Sequence, residues 1–383
     1  MIAEQRGFEG PERPLRVLWL IKGLGAGGAE RLVEQSARYR DRARVAPAVA
    51  YLLAEKSTLV ESLKTQGCRP VLCLDARSSW DPRWVLRLRR LLRSEHFDLV
   101  HIHSPLAAVG ARLAVRSIPR RNRPRIVVTE HNVWSSHAPL TRWADRLTAR
   151  ADEAHLAVSA AVRDSMPARL GARTRVVRYG IDAAEIRRHA PDRAEVRRSL
   201  GIGDDEIVVG TVANLRATKG YPDLLEAAAA VIRDSDSVQF VSVGRGPLES
   251  ELRARRDRLG LGARFEFLGF RPDAVRIMSA FDIFCLASHH EGLPIALMEA
   301  LALGLPVVAT RVGGVEELVT DGREAVLVAA RRPDALAAAL LALVHDPERR
   351  SAMARQACAR GDTLDAPIAV ATIEAVYREL VAP

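Results

Sequence analysis

The sequence predicts an α/β protein of two doubly wound domains, and three observations lead there. At 383 residues the chain exceeds what one hydrophobic core usually serves and suits two domains. Short apolar runs alternate with helical stretches along its length, the rhythm of parallel strands joined by crossover helices. The charge also divides. Residues 1–182 carry 32 Lys and Arg against 18 Asp and Glu, a net of +14; residues 183–383 carry 25 against 29, a net of −4. The segment 180–203, with GID, APD and GIGDD, interrupts the pattern. We read an N-terminal domain over 1–182, a C-terminal domain over 183–364, and a final helix over 365–383.

In the first half, strands are expected at 15–21, 45–53, 71–74, 99–103, 125–129 and 154–158. In the second they are expected at 207–212, 239–243, 265–268, 283–287, 306–310 and 325–328. Each is an apolar run bounded by turn residues. Two such sheets would bind ligands at their carboxyl strand ends, with a cleft between them. The tail from about Asp365 reads as a helix.

Composition is that of a soluble globular protein, 48% apolar and 27% charged. No apolar run approaches the roughly 18 residues of a membrane span, and the acidic, Pro-containing start does not suit a signal peptide. Cys68, Cys73, Cys285 and Cys358 are scattered without metal-ligand spacing, which suits a reducing cytoplasm. The positive excess of the first half directs any anionic partner there.

Four loops carry chemistry. Gly23-Leu-Gly25-Ala-Gly27-Gly28 follows the first strand and satisfies G-x-G-x-x-G. Its glycines permit close backbone approach and positive φ. Alone it allows a nicotinamide-dependent oxidoreductase, with Glu55 as the ribose acid, or a tight turn without ligand. TVANLRATKG sets Arg216 and Lys219 ahead of a helix starting near Tyr221. Cations at a helix start are unfavourable, so they want an external anion such as a diphosphate. Gly244 and Gly246 follow the next strand. In the fourth loop, EGLPIALME, Glu291 precedes a helix opened by Pro294 and closed by Gly304, and Glu299 lies about a turn inside it. The N–H groups of Gly292, Leu293 and Ile295 suit phosphate. Glu299 sits among apolar residues and needs a partner. A nucleotide sugar, with two polyhydroxyl parts around phosphate, suits this arrangement.

EGLPIALME with ALGLPVVATRVGGVEELVTDGREAVLV resembles the E-x7-E signature of retaining glycosyltransferases of family 4. GLGAGGAERLV, TEHNVW, VRYGID, TVANLRATKG, VGRGPLESEL and FLGFRPD extend the resemblance over nearly the whole chain, in order. It implies the GT-B fold, two Rossmann-like domains facing a central cleft, with the final helix crossing back to the N-terminal domain. It also implies an NDP-sugar donor held by the C-terminal domain. Glu299 would accept from the ribose hydroxyls, and Glu291 from a hydroxyl of the transferred sugar. Arg216 and Lys219 would meet the diphosphate, with Gly27, Gly28, Gly292, Leu293, Pro294, Gly244 and Arg271 around the donor. His131 would lie near the reacting end of the sugar, with His103 and Asn132 on the acceptor side. The family's usual arginine is Asn214 here, so Arg216 takes its place. No metal or cofactor is expected: His101 with His103, and His289-His290-Glu291, are too few as ligands.

Two further expectations concern partners. Arg83-Trp-Val-Leu-Arg87-Leu-Arg89-Arg90-Leu-Leu-Arg93 has amphipathic helical spacing. Arg112, Arg116 and RRNRPR form a second basic cluster, and Arg142, Arg146 and Arg150 a third. Such segments suit an anionic membrane surface, with aromatic and leucine side chains inserted, or a solvated outer face. Nucleic acid does not suit them, since basic and aromatic residues are not interleaved. The expected activity is hexosyl transfer to a glycan or lipid-linked acceptor in cell-envelope glycolipid, polysaccharide or other glycoconjugate synthesis. The expected place is the cytoplasm or the inner face of the cytoplasmic membrane. The alternatives are the oxidoreductase and a non-catalytic sugar-nucleotide scaffold.

Overall fold

The structure, a computed structural model, describes residues 13–25, 27–78 and 81–382. The segment 1–12 read above for a leader, Ala26 of the glycine loop and Pro383 of the tail lie outside the described residues. The chain divides into two compact units, Met1–Tyr179 with Ala366–Pro383, and Gly180–Asp365.

The first unit holds a seven-stranded parallel sheet in the order β3-β2-β1-β4-β5-β6-β7. Its strands are β1 (Leu15–Ile21), β2 (Val45–Tyr51), β3 (Val71–Cys73), β4 (Leu99–Ile102), β5 (Arg125–Glu130), β6 (Ala154–Ala157) and β7 (Thr174–Val176). The second unit repeats the plan in six parallel strands, ordered β10-β9-β8-β11-β12-β13. These are β8 (Ile207–Val212), β9 (Val238–Val243), β10 (Phe265–Phe267), β11 (Ile283–Leu286), β12 (Val307–Thr310) and β13 (Ala325–Val328). Central strands such as β4 and β11 are buried along their whole length, because helices cover both faces of a parallel sheet. All twelve expected strands are present, within a residue or two at their ends. β7 was not anticipated: its TRV sequence is three residues of an edge, too short and polar to announce itself.

In both units the strand order reverses direction around one central pair, β1 with β4 and β8 with β11. The crossovers there run to opposite sides and leave a crevice at the carboxyl ends, where doubly wound folds bind ligands.

The terminal helix Ala366–Val381 belongs to the first unit. Trp19 donates its indole N–H to the Tyr377 hydroxyl at 3.2 Å, and Glu374 accepts the Asp41 backbone N–H at 3.0 Å. The basic helix Arg83–Ser94 takes the second of its two expected settings, an outer helix with a charged face. Its apolar side chains Trp84, Leu88 and Leu92 are buried in the core against β1, β4 and the Pro105–Arg116 helix. Burying that stripe on folding removes it from any membrane surface. Among the described residues, no helix is long and apolar enough to cross a membrane.

Candidate functional site

In the second unit the residues singled out from sequence follow the two strands at the reversal. β8 ends at Val212, and the chain reaches Arg216 and Lys219 before the helix Tyr221–Asp234 begins. β11 ends at Leu286 and leads through Ser288 to Glu291. The two loops are sewn together. The His289 N–H donates to the Thr218 carbonyl at 2.8 Å, and the His289 ring pairs with Asp223 at 2.7 Å.

Lys219 Nζ donates to both carboxylate oxygens of Glu291, at 2.7 and 2.8 Å, and Ser288 Oγ donates to Oε1 at 2.6 Å. Lys219 therefore has a buried internal carboxylate facing it, and its side chain stays partly open to solvent. Arg216 is exposed, and the 3₁₀ turn Ala217–Lys219 separates it from the helix proper.

Behind Glu291 the loop after β12 presses close. Gly313, at φ 52°, has no room for a side chain, since a Cβ there would lie 1.8 Å from the Glu291 carbonyl oxygen. Gly314 donates its N–H to the Gly292 carbonyl at 3.1 Å. Pro294 is the residue before the helix Ile295–Ala302, in extended backbone, rather than within its first turn. Gly292, Leu293 and Pro294 are buried, and Glu299, in the second turn, is largely so. Gly304 follows the helix with φ 72°, as a left-handed C-terminal stop.

Gly244, at φ 148°, lets the loop after β9 run against the Arg216 loop, for a Cβ there would lie 2.0 Å from the Ala213 carbonyl. Arg245 stacks over the Phe270 ring at 5.0 Å, joining this loop to FRPD. Arg271 turns instead to Asp273 in a two-pronged pair at 2.9 Å, so its side chain is committed locally.

In the first unit the glycine loop follows β1, and Gly27 caps the helix Gly28–Tyr39. None of Gly23, Gly25, Gly27 and Gly28 has positive φ. Gly23 lies close against the Lys56 side chain and Gly27 against that of Glu30, whereas a Cβ at Gly25 would meet open space. His103 and His131 leave β4 and β5 side by side, with Nδ1 of His103 3.2 Å from Nε2 of His131. Asn132 is exposed beside them. Burial pushes His131 down to about 4 and His103 well below its ordinary value, so both rings are neutral near pH 7. Among the described residues, no group of three or more His, Cys, Asp or Glu is placed to hold a metal ion.

A buried relay backs these histidines, and nothing in the sequence reading anticipated it. The indole N–H of Trp19 can only donate, so the Tyr377 oxygen accepts it. The Tyr377 hydroxyl also shares a hydrogen bond with Nδ1 of His101 at 2.5 Å. The other ring nitrogen, Nε2, shares a hydrogen bond with Thr129 Oγ1 at 2.6 Å, so the His101 proton sits between one of these two hydroxyls and the ring. Tyr179 stacks on His131, ring centroids 5.9 Å apart. The alternation of His101 with His103, and of Thr129 with His131, was the available signal. Tyr377 lies more than two hundred positions away in the chain and gave none. Glu130 is fully buried, with His137 at 3.3 Å. Burial opposes its charge, yet the facing histidine holds the carboxyl below its ordinary range.

Residues 26–185 match the family model described as Glycosyltransferase Family 4, and residues 192–360 match that of Glycosyl transferases group 1. The chain is 31% identical over 291 residues to the α-D-kanosaminyltransferase of Streptomyces kanamyceticus, covering 72% of this chain and 75% of that one. It is 31% identical over 311 residues to the D-inositol 3-phosphate glycosyltransferase of Actinosynnema mirum, covering 73% and 72%. HepE of Anabaena, solved in complex with UDP and glucose, shares the fold with a TM-score of 0.81 at 24% identity, covering 94% of this chain and 98% of its own. The oxidoreductase reading of the glycine loop finds no support in these matches. Two parallel α/β units, the ordered motifs and these relatives agree: the chain belongs to glycosyltransferase family 4 and is a glycosyltransferase of the GT-B fold.

Proposed function

We propose that this glycosyltransferase moves a hexosyl unit from a UDP- or GDP-linked sugar to an acceptor hydroxyl, with retention of anomeric configuration. One observation carries most of the reading: Lys219 and Glu291 meet at the carboxyl ends of the second unit's central strands. In a doubly wound fold that is the expected position of a nucleotide's phosphates. The second unit then holds the donor. Glu299 accepts from the ribose diol, whose two hydroxyls suit the paired oxygens of a carboxylate. Lys219 and Arg216 face the diphosphate, Glu291 a hydroxyl of the sugar, and the loop glycines let backbone approach. HepE in complex with UDP-glucose supports this donor class.

When the glycosidic bond breaks, its electron pair stays with the departing diphosphate. Lys219, Arg216 and the N–H groups at the start of the helix Ile295–Ala302 offset that charge, and no divalent cation is required. The departing phosphate accepts the proton of the acceptor hydroxyl, which attacks from the same face. His131, neutral and held by His103, orients the reacting sugar, and Asn132 serves the acceptor side. The acceptor is a glycan or lipid-linked glycan of cell-envelope glycolipid, polysaccharide or other glycoconjugate synthesis. The basic first half brings the enzyme to the anionic inner face of the cytoplasmic membrane.

A thermal-shift panel of UDP- and GDP-sugars in chelator tests the donor. A ligand at about 100 times its Kd stabilises the fold by ~2.7 kcal/mol, a readable rise in melting temperature. No rise with any NDP-sugar would remove the proposal.

A further inference from the structure

We infer that the helix Pro139–Thr148 is the face on which this protein docks to an anionic bilayer. It exposes three large apolar side chains, Leu140 at 60%, Trp143 at 63% and Leu147 at 58%. At about 100° per residue these three positions fall within one narrow stripe of the helix. Leu113 of the adjoining helix Pro105–Arg116 is exposed to 59%. Large apolar groups set together in water at this exposure mark an interaction site.

Charge identifies the occupant. From Ser104 to Ala151 the chain has only two acids, Glu130 and Asp145, and both are fully buried. Asp145 turns inward to Arg112, which also forms a two-pronged pair with Asp152 at 2.7 Å. The outer surface of this span is left with eight arginines that are not buried: Arg116, Arg120, Arg121, Arg123, Arg125, Arg142, Arg146 and Arg150. Arg142 and Arg146 lie on the same helix as the apolar stripe, and Arg150 lies in the 3₁₀ turn Ala149–Ala151 that continues it. A second copy of the chain is a poor occupant, because a two-fold contact sets the same arginines against each other. A bilayer with anionic headgroups meets both demands: acyl chains receive Leu and Trp, and the headgroups neutralise Arg.

This names the surface for the membrane contact proposed above and rests on that part of the reading. It replaces the Arg83–Ser94 helix, whose apolar side is spent in the core. Position gives it a purpose. The segment from His131 leads directly into Pro139, so docking here holds the acceptor-side loop at the membrane surface.

The test is co-sedimentation of the full chain with vesicles of pure phosphatidylcholine and with vesicles containing about 30% phosphatidylglycerol. The wild type is expected to pellet only with the anionic vesicles. Leu140→Ser/Trp143→Ser/Leu147→Ser should weaken that binding at least tenfold. Arg142→Gln/Arg146→Gln/Arg150→Gln should weaken it about 100-fold and flatten its salt dependence. Both variants change surface residues and should keep the wild-type melting temperature and the NDP-sugar shift. A wild type that ignores anionic vesicles overturns the inference, as do variants that bind like wild type. So does a wild-type dimer that the serine variant converts to monomer, which assigns the face to a second copy. Loss of the NDP-sugar shift in the wild type would instead strike the donor reading and leave the vesicle result to be judged by itself.

Discussion

Glu291→Gln is the most instructive single change, because the carboxylate occupies the cation that a diphosphate needs. Lys219 reaches both oxygens of Glu291, and the pair is only partly open to water, with side chains 24% and 5% exposed. A hydrogen bond to a charged group contributes about 1.5–3 kcal/mol net. Water at the exposed part of Lys219 screens the pair, which brings the cost of drawing the ammonium away to about 1–2 kcal/mol. Glutamine keeps the size of the side chain and still accepts from Ser288, so the fold should survive. UDP alone, which has no sugar for Glu291 to grip, should then bind about 5–30-fold more tightly. Lys219→Met should weaken UDP about 10–100-fold, and adding Glu291→Gln to it should restore nothing. Turnover of the full donor should fall in Glu291→Gln, since the sugar loses its carboxylate. Titration calorimetry with UDP in chelator reads these constants. Glu291→Gln weakening UDP as much as Lys219→Met does would instead show that the carboxylate positions the lysine rather than competing for it.

Three other outcomes are expected. Glu299→Ala should chiefly raise the donor Kd, whereas His131→Ala should chiefly lower kcat; equal loss of donor binding in both would refute the division of roles. Tyr377→Phe leaves the Trp19 N–H and Nδ1 of His101 without their shared partner in a buried site, a cost of about 2 kcal/mol in urea unfolding. It should also lower kcat with donor affinity unchanged, and an unchanged kcat would show that the relay does not position His131. The last concerns pH. Burial holds His101, His103, His131 and His155 below their ordinary value, so between about pH 4 and 6.5 the unfolded chain binds more protons and stability rises with pH. Burial pushes Asp145 and Asp152 upward, which lowers stability as pH rises through their folded values. Four groups outweigh two, so the urea midpoint should be lower at pH 5 than at pH 7; a midpoint that holds or rises at pH 5 contradicts this.

Much of the fold was legible because parallel strands buried on both faces read as continuous apolar runs, as in Leu15–Ile21 and Ile283–Leu286. β7 was not, since a short edge strand draws its definition from its neighbour. The candidate donor residues were legible because loops after central strands carry glycines and charges at fixed offsets from helix starts. What sequence left open was who faces whom. Lys219 and Glu291 are 72 positions apart and were read toward a common ligand, not toward each other. Spacing likewise does not show that the Arg271 side chain pairs with Asp273 two residues away, leaving its backbone for the expected place beside the donor. The Arg83–Ser94 helix shows the same gap, for amphipathic spacing describes a stripe without saying whether core or membrane receives it.

Phosphorus NMR of UDP with the protein in chelator probes the core of the account most directly, because it watches the two phosphates themselves. Both resonances should move on adding wild-type protein, and the movement should largely vanish with Lys219→Met/Arg216→Ala. Resonances that stay put until a divalent cation is supplied, or that move equally with the double variant, would mean that the protein's own cations do not hold the diphosphate.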